Sequence, residues 1–322
     1  PSAVAAGGMQ LAAFDTLRAA CRRGETNVAK NKHDSIARPG AGTLFVVASP
    51  IGNLADLAPR AVQVLGASDL ILAEDTRRTA QLLHAAGLPT RAGVLKSFHE
   101  HNERQRMPAI VERLLAGESV ALVSDAGTPL LSDPGLLLVA EAARSGCEVV
   151  AIPGPSALVA ALSIAGLPTD RFIFEGFLPS KPKARRQALR ALASEPRTLV
   201  FYEAPHRIAA SLLDMAECFG GQRPAAVARE LTKRYETVYR GTLADLAGSA
   251  RADADMARGE LVVVVGGAEP GRAAGQAEAA RVLDILLAEL PASSAAKLAA
   301  RITGHGRKEL YDKALARGSS AS

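Results

Sequence analysis

The sequence predicts an α/β protein of two domains with a helical C-terminal tail. Three observations carry this reading. A chain of 322 residues, 48% of them hydrophobic and 22% charged, is long enough for two cores at roughly 150 residues each. Short apolar runs alternate with segments of helical length. A basic segment with two prolines separates one such series from a second.

Residues 1–42 form an extension rich in Ala and Gly, with an amphipathic stretch at Leu11–Arg22 and a Pro39-Gly40-Ala41-Gly42 end, and disorder is expected there. From Thr43 the pattern is regular: strand Leu44–Ala48, helix Ala58–Leu65, strand Leu70–Ala73, helix Arg77–Ala86, helix Glu103–Ala116, strand Ser119–Val123, helix Leu136–Arg144, strand Glu148–Ile152 and helix Ser156–Ala165. Parallel βαβ units explain the alternation, and the first domain is placed at 43–176. The second, 177–268, opens on Leu178-Pro179-Ser180-Lys181-Pro182. It continues with helix Ala184–Ala193, strand Thr198–Tyr202, helix His206–Phe219, strands Ala225–Arg229 and Glu236–Arg240, helix Leu243–Ser249 and strand Glu260–Val265. The Ala- and Gly-rich stretch to Glu278 reads as a linker, followed within 269–322 by helices Ala279–Leu290, Ser293–Arg301 and Arg307–Ala316.

The longest apolar runs, such as Leu261–Val265, fall far short of the roughly 20 residues that span a bilayer. The arginines near the start of the sequence are not followed by the apolar stretch of a secretory leader, so a cytoplasmic protein is expected. Cys21, Cys147 and Cys218 are too few and too widely spaced for a disulfide framework or a zinc cluster, and no metal is expected. The net charge of +5 favours a polyanionic partner.

Four loops rich in Gly and Pro follow strands directly, at the edge where open α/β sheets bind ligands. They are Ser49-Pro50-Ile51-Gly52-Asn53-Leu54, Ser124-Asp125-Ala126-Gly127-Thr128-Pro129, Pro153-Gly154-Pro155-Ser156-Ala157 and Glu203-Ala204-Pro205-His206-Arg207. Tight turns with helix caps would give the same residues singly; four together favour a ligand site. No Gly-x-Gly-x-x-Gly follows a strand and no phosphate loop is present, which leaves a cofactor gripped by backbone groups. Glu74-Asp75-Thr76-Arg77-Arg78 and His99-Glu100-His101-Asn102-Glu103 are dense in polar groups that suit proton transfer or helix capping alike.

These motifs, with Ser132-Asp133-Pro134-Gly135, Phe201-Tyr202-Glu203-Ala204-Pro205-His206-Arg207 and Ala228-Arg229-Glu230-Leu231-Thr232-Lys233, resemble the ribosomal RNA small subunit methyltransferase I group of the tetrapyrrole methylase superfamily. The resemblance runs from about Thr43 to the C-terminal end, and departs from many relatives at Leu130-Leu131. It implies a two-domain tetrapyrrole-methylase-like fold with a cofactor cleft between the domains, usually in a homodimer. The implied reaction is S-adenosylmethionine-dependent 2′-O-methylation of a cytidine in the decoding region of 16S ribosomal RNA. The implied cofactor residues are Pro50, Asp125, Gly127, Thr128, Ser132, Ser156, Ala157, Tyr202, Ala228 and Glu260. Glu74, Asp75, His99, His101 and Glu203 are the candidates for a general base, with no choice among them. Arg77, Lys181, Lys183, Arg185, Arg186 and Lys233 are the candidates for phosphate contacts of RNA or of an assembled small subunit. A tetrapyrrole methylase and a non-catalytic RNA-binding assembly factor are the alternatives.

Overall fold

The structure, a computed structural model, describes residues 42–89, 92–268 and 272–318. Apart from Gly42, the expected N-terminal extension lies outside the described residues. The chain forms two compact units, the first comprising its described residues up to Ala161 together with Arg229–Thr237, the second the remainder.

The first unit is built on five strands, β1 (Thr43–Val47), β2 (Leu70–Ala73), β3 (Leu95–Ser97), β4 (Val120–Val123) and β5 (Glu148–Ile152), in the order β3-β2-β4-β1-β5. Every pairing in it is parallel. Five helices follow the strands in turn: α1 (Pro59–Ala67), α2 (Thr76–Ala85), α3 (Glu103–Leu115), α4 (Leu136–Arg144) and α5 (Ala157–Ala165). Alternate residues of each strand serve opposite faces of the sheet. Leu44, Leu70, Leu72, Val120 and Leu122 pack under α3 and α4 with Leu114 and Leu138. Phe45, Val47, Ile71, Ala121 and Val123 pack under α1 and α2 with Val64 and Leu83. Burial on both faces is why these strands read as unbroken apolar runs.

In the second unit the sheet order is β6-β7-β10-β8-β9, from β6 (Phe172–Phe177), β7 (Thr198–Glu203), β8 (Pro224–Arg229), β9 (Thr237–Thr242) and β10 (Leu261–Val265). It is mixed: β6 runs parallel to β7, and β10 antiparallel to it. Helices α6 (Pro182–Ala191), α7 (Ile208–Phe219) and α8 (Leu243–Ala252) enclose a core of Leu189, Leu199, Phe201, Ile208, Leu212, Met215 and Val263. The tail is three helices, α9 (Arg272–Leu287), α10 (Ala292–Thr303) and α11 (Arg307–Gly318), closed around Leu283, Ala295, Ala296, Ala299 and Leu310.

One expectation needs correction, and two strands, β3 and β6, were not anticipated. The stretch read as a linker to Glu278 is helical from Arg272, because its alanines are the strongest helix formers and outweigh the roughly 1 kcal/mol cost of Gly275. β3 is a three-residue edge strand, too short to show alternation. β6 carries a register shift between Phe174 and Gly176 that breaks its period of two. Among the described residues, no helix is long and apolar enough to cross a membrane.

Candidate functional site

Because every pairing in the first sheet is parallel, all its strands end on one edge. Along it stand, in sheet order, Glu74-Asp75 after β2, Ser124–Pro129 after β4, Ser49–Leu54 after β1 and Pro153–Ala157 after β5. The last three loops are tied together. Ser49 and Gly127 exchange backbone hydrogen bonds of 2.9 and 3.1 Å, Ser49 Oγ donates to the Ser124 carbonyl at 3.1 Å, and Thr128 Oγ1 donates to the Pro155 carbonyl at 3.2 Å. Gly127 has φ +83°, and a Cβ there would lie 3.3 Å from the Ile51 side chain, so the position is reserved for glycine. A cavity of about 200 Å³ opens beside these loops, walled by Ser49, Pro50, Gly52, Arg78, Ser124 and Asp125. Ser156 Oγ is buried with no hydrogen-bond partner.

Backbone strain collects in two loops. Among the described residues, the only non-glycine residues with positive φ are Leu130 (72°) and Ser132 (72°) after β4, and Glu230 (51°) and Thr232 (66°) after β8. Such conformations persist where the surroundings over-determine them. At Thr232, β-branching adds to the cost. The second loop lies within the first unit, where a Cβ on Gly52 would meet the Lys233 side chain at 2.3 Å and Thr232 Oγ1 at 3.0 Å.

The carboxylates on this edge have distinct fates. Asp75 caps α2 by accepting from Arg77 N–H at 2.8 Å and pairs with the Arg77 guanidinium at 2.9 Å, and these Arg77 hydrogen bonds hold its carboxyl at about 2. A carboxylate so committed is a poor base at neutral pH. Asp125 accepts the backbone N–H of Asp75 at 3.0 Å and pairs with Arg78 at 3.2 Å. Glu74 is pushed above the usual carboxylate range by partial burial of its carboxyl and then by Asp125. The sequence reading missed Asp133 as a candidate base: half-buried, it is pushed up to about 6, first by burial, then by the charge of Glu74, with Asp125 adding and a Ser124 hydrogen bond opposing.

The His99–Glu103 motif divides in the same way. Glu103, buried in α3, accepts the backbone N–H groups of Leu137 and Leu138 at 3.2 and 3.3 Å, which makes it a cap for α4. Asn102 Oδ1 accepts the His99 N–H at 2.9 Å, which fixes its amide orientation, so Nδ2 donates to His99 Nε2 at 3.0 Å. That network assigns the proton of His99 to Nδ1, which is buried with no acceptor. The Nε2 atom of His99 is thus engaged by the Asn102 amide. His101 is exposed, its ring 5.9 Å from that of His99 in an edge-on arrangement.

Residues 43–247 match the family of tetrapyrrole (corrin/porphyrin) methylases, about two thirds of the chain, and residues 273–318 match the RsmI C-terminal HTH domain. The chain belongs to the tetrapyrrole methylase family. Within the family it is 55% identical to ribosomal RNA small subunit methyltransferase I of Pseudomonas aeruginosa, over 86% of this chain and 98% of that protein. It is 56% identical to the protein of the same name from Xylella fastidiosa strain Temecula1, over 84% and 98%. The solved structure of the methyltransferase CobJ shares the fold with a TM-score of 0.52 and 22% identity, covering 71% of this chain and 95% of that one.

This methylase places the remaining sequence candidates in its second unit or its β8–β9 loop. Tyr202 is half-buried on β7, its ring edge-on to Phe174 at 4.8 Å and to Phe177 at 5.6 Å. Ala228 is buried on β8, and Glu260 is exposed before β10. Glu203, a candidate base, is fully enclosed and committed: it accepts from Ala204 N–H at 2.8 Å and from Ser211 Oγ, and pairs with Arg207 at 3.2 Å. Its loop therefore braces the start of α7. Arg185, a candidate for RNA, is buried and gives two nitrogens to Asp214, each at 2.7 Å, so it is no phosphate anchor. Arg186 shares Asp214 at 3.3 Å, Lys233 pairs with Glu230 at 2.7 Å, and Arg77 keeps Asp75. Lys181 and Lys183 are exposed at the start of α6.

Proposed function

We propose that the chain transfers a methyl group from S-adenosylmethionine to the ribose 2′-oxygen of a cytidine in 16S ribosomal RNA, as its curated relatives' name, ribosomal RNA small subunit methyltransferase I, indicates for the RNA. The observation that carries this reading is 55% identity across 98% of such a relative. The geometry supports it. The three tied loops of the first unit offer backbone carbonyls and the Asp125 carboxylate beside a cavity, with the unpartnered Ser156 hydroxyl and a glycine at 127 that clears the approach. Such a donor set suits an adenosine sulfonium, whose sugar and base use hydrogen bonds and whose cation favours oxygen neighbours.

Pro50, Asp125, Gly127, Thr128, Ser132, Ser156 and Ala157 are the residues of this unit that would hold it; Tyr202, Ala228 and Glu260 are the candidates in the second. When bound, S-adenosylmethionine supplies an electrophilic methyl group on sulfur. The protein's part is to hold the ribose oxygen about 3–3.5 Å from that carbon and in line, and to take the hydroxyl proton. Lys181, Lys183 and Arg77 supply positive charge for phosphates. A cytoplasmic homodimer completes the reading, with light scattering as its check. Tritiated methyl transfer to naked 16S RNA, small subunits and tetrapyrroles tests the whole: label on RNA or subunits is expected, and label on the tetrapyrrole alone overturns it.

A further inference from the structure

We propose that Tyr235 and Arg234 form a platform on which an unpaired base of the RNA substrate stacks, at the rim of the methyl-transfer cavity. The inference rests on the methyl-transfer reading above. It begins from the rings that face solvent: among the described residues these are Phe172, Phe177, Tyr235 and Tyr311, and Tyr235 is the most open, at 62%. Of the four, Tyr235 alone carries a guanidinium at its face, that of the exposed Arg234, 5.5 Å from the ring centroid. The Arg223–Phe219 pair in the second unit is of another kind, because Arg223 is buried and gives its nitrogens to the carbonyls of Gly266, Ala193 and Glu195. The other cations of the Tyr235 loop are engaged as well. Arg229 donates to the Tyr235 carbonyl at 3.1 Å, and Lys233 pairs with Glu230 at 2.7 Å. Arg234 has the tyrosine ring as its partner and meets no carboxylate among the described residues.

The loop that presents this pair is held in shape by its own hydrogen bonds. Lys233 N–H donates to the Glu230 carbonyl at 3.0 Å, and Glu236 N–H to the Lys233 carbonyl at 3.1 Å. The Glu236 carboxylate accepts the Thr232 N–H at 2.6 Å, and Thr237 Oγ1 joins Arg229 on the Tyr235 carbonyl, at 3.1 Å. The shape costs free energy: Glu230 and Thr232 hold positive φ, and Thr232 Oγ1 is buried with no hydrogen-bond partner. Gly52 sets the loop's place, since a side chain there would meet Lys233 and Thr232, and Gly52 also walls the cavity beside the tied loops. Two residues of chain reach at most about 7 Å, so Tyr235 stands at the cavity's rim, within the first unit.

The chemistry of the pair selects the occupant. An acidic peptide would use the guanidinium and leave the ring; an apolar surface would use the ring and bury the guanidinium unpaired. A nucleotide uses both, its base on the ring and its phosphate on the cation. Drawing one ribose of a folded RNA into the cavity parts a base from its neighbour, and a ring at the rim replaces the stacking that is lost.

The test uses the full chain and the variants Tyr235→Ala, Tyr235→Phe, Tyr235→Trp and Arg234→Ala. In turnover with S-adenosylmethionine and unmethylated small subunits, Tyr235→Ala should raise KM roughly 5- to 150-fold and leave kcat within about threefold of wild type. Its affinity for S-adenosylhomocysteine in calorimetry should not change. Tyr235→Phe, which keeps the π-face, should bring KM back to within about threefold. Arg234→Ala should flatten the log–log salt dependence of RNA binding by about 0.7, whereas Tyr235→Ala should leave that slope in place. The chain contains no Trp, so Tyr235→Trp introduces a single indole, whose fluorescence should be quenched by oligocytidine and unmoved by duplex RNA of the same length. With an active wild type, an unchanged KM for Tyr235→Ala overturns the platform alone, as does an indole that does not respond to oligocytidine or an unchanged slope for Arg234→Ala. Loss of S-adenosylhomocysteine binding in Tyr235→Ala overturns it too, and a shift of oligomeric state in light scattering with KM unmoved makes the ring a contact between copies instead. A wild type inactive on RNA and subunits fails the methyl-transfer reading itself and takes the platform with it.

Discussion

Asp133 in the first unit and Asp214 in the second are both withdrawn from water, and their surroundings differ in kind. Asp214, on α7, is met by the buried guanidinium of Arg185 on one oxygen and by Arg186 on the other. Asp133 is met by a serine hydroxyl and by two further carboxylates. Burying a charge is costly unless it is matched, and Asp214 is matched twice. A carboxylate surrounded by cations keeps its charge, whereas one kept away from them can change its charge near neutral pH. Arg77 and Arg78 take Asp75 and Asp125, while Glu74 and Asp133 are the carboxylates of this edge that are pushed upward.

The largest expected effect breaks the structural side of this comparison. Asp214→Ala leaves Arg185 buried without its partner and should cost about 3–5 kcal/mol in denaturant unfolding. The double variant Arg185→Met with Asp214→Leu, which removes both charges, should lose much less. Equal losses in the two would mean that the site tolerates an uncompensated guanidinium and that the pairing carries no weight.

Next comes the frame around Asp133. Gly135→Ala forces a Cβ against Leu122 at a φ that side chains rarely adopt, and should destabilise by about 1–3 kcal/mol. Gly146→Ala is the control. Its φ is +79° with nothing within 4 Å of the added carbon, so only the left-handed conformation is penalised. A smaller loss at Gly135 than at Gly146 would contradict the flush contact with β4.

Asp133→Asn sharpens the comparison through pH. The folded carboxyl titrates at about 6 against an ordinary 3.8, so folding favours its protonated form. That contribution is fully present below the ordinary value and is lost as pH rises through 6. The amide, which cannot ionise, should therefore leave stability unchanged at pH 3.5 and raise it at pH 8, by about 1 kcal/mol after allowance for solvent screening. Thermal midpoints at the two pH values check this, and a gain at low pH only would reverse the sign.

The sheet and its ligand edge were legible in the sequence because strands buried on both faces read as apolar runs, and because the loops that follow them concentrate Gly and Pro. The division of labour among the acids was not. Asp133 stands in a Ser-Asp-Pro-Gly segment that reads as a turn, and its neighbours Glu74 and Asp125 come from β2 and β4, fifty-nine and eight positions away. Arg185 failed as a phosphate contact for the same reason: its run, Lys181-Pro182-Lys183-Ala184-Arg185-Arg186, gives no sign that helical phase turns one arginine inward to an aspartate on α7. Local sequence fixes a residue's chemistry, while tertiary pairing decides whether that chemistry is spent.

The smallest expected effect on stability concerns the cations that are not spent. Lys181 is the N-cap of α6 and Lys183 lies in its first turn, which carries no acidic residue. The helix dipole is positive at that end, so two lysines there oppose it, and the fold gains nothing electrostatically from them. Their exposure leaves them available to an anion. Replacing both by Ala should therefore raise the thermal midpoint slightly while weakening RNA capture. Two lost phosphate contacts should flatten the log–log salt dependence of binding by about 1.4–1.8, and affinity for S-adenosylmethionine should not change. Arg185→Met is the contrast: it should cost stability yet leave the salt slope where it was, because its charge is already held by Asp214. An unchanged slope for the double lysine variant would make the pair a solvated helix start. A changed slope for Arg185→Met would mean that the buried pair opens when RNA binds.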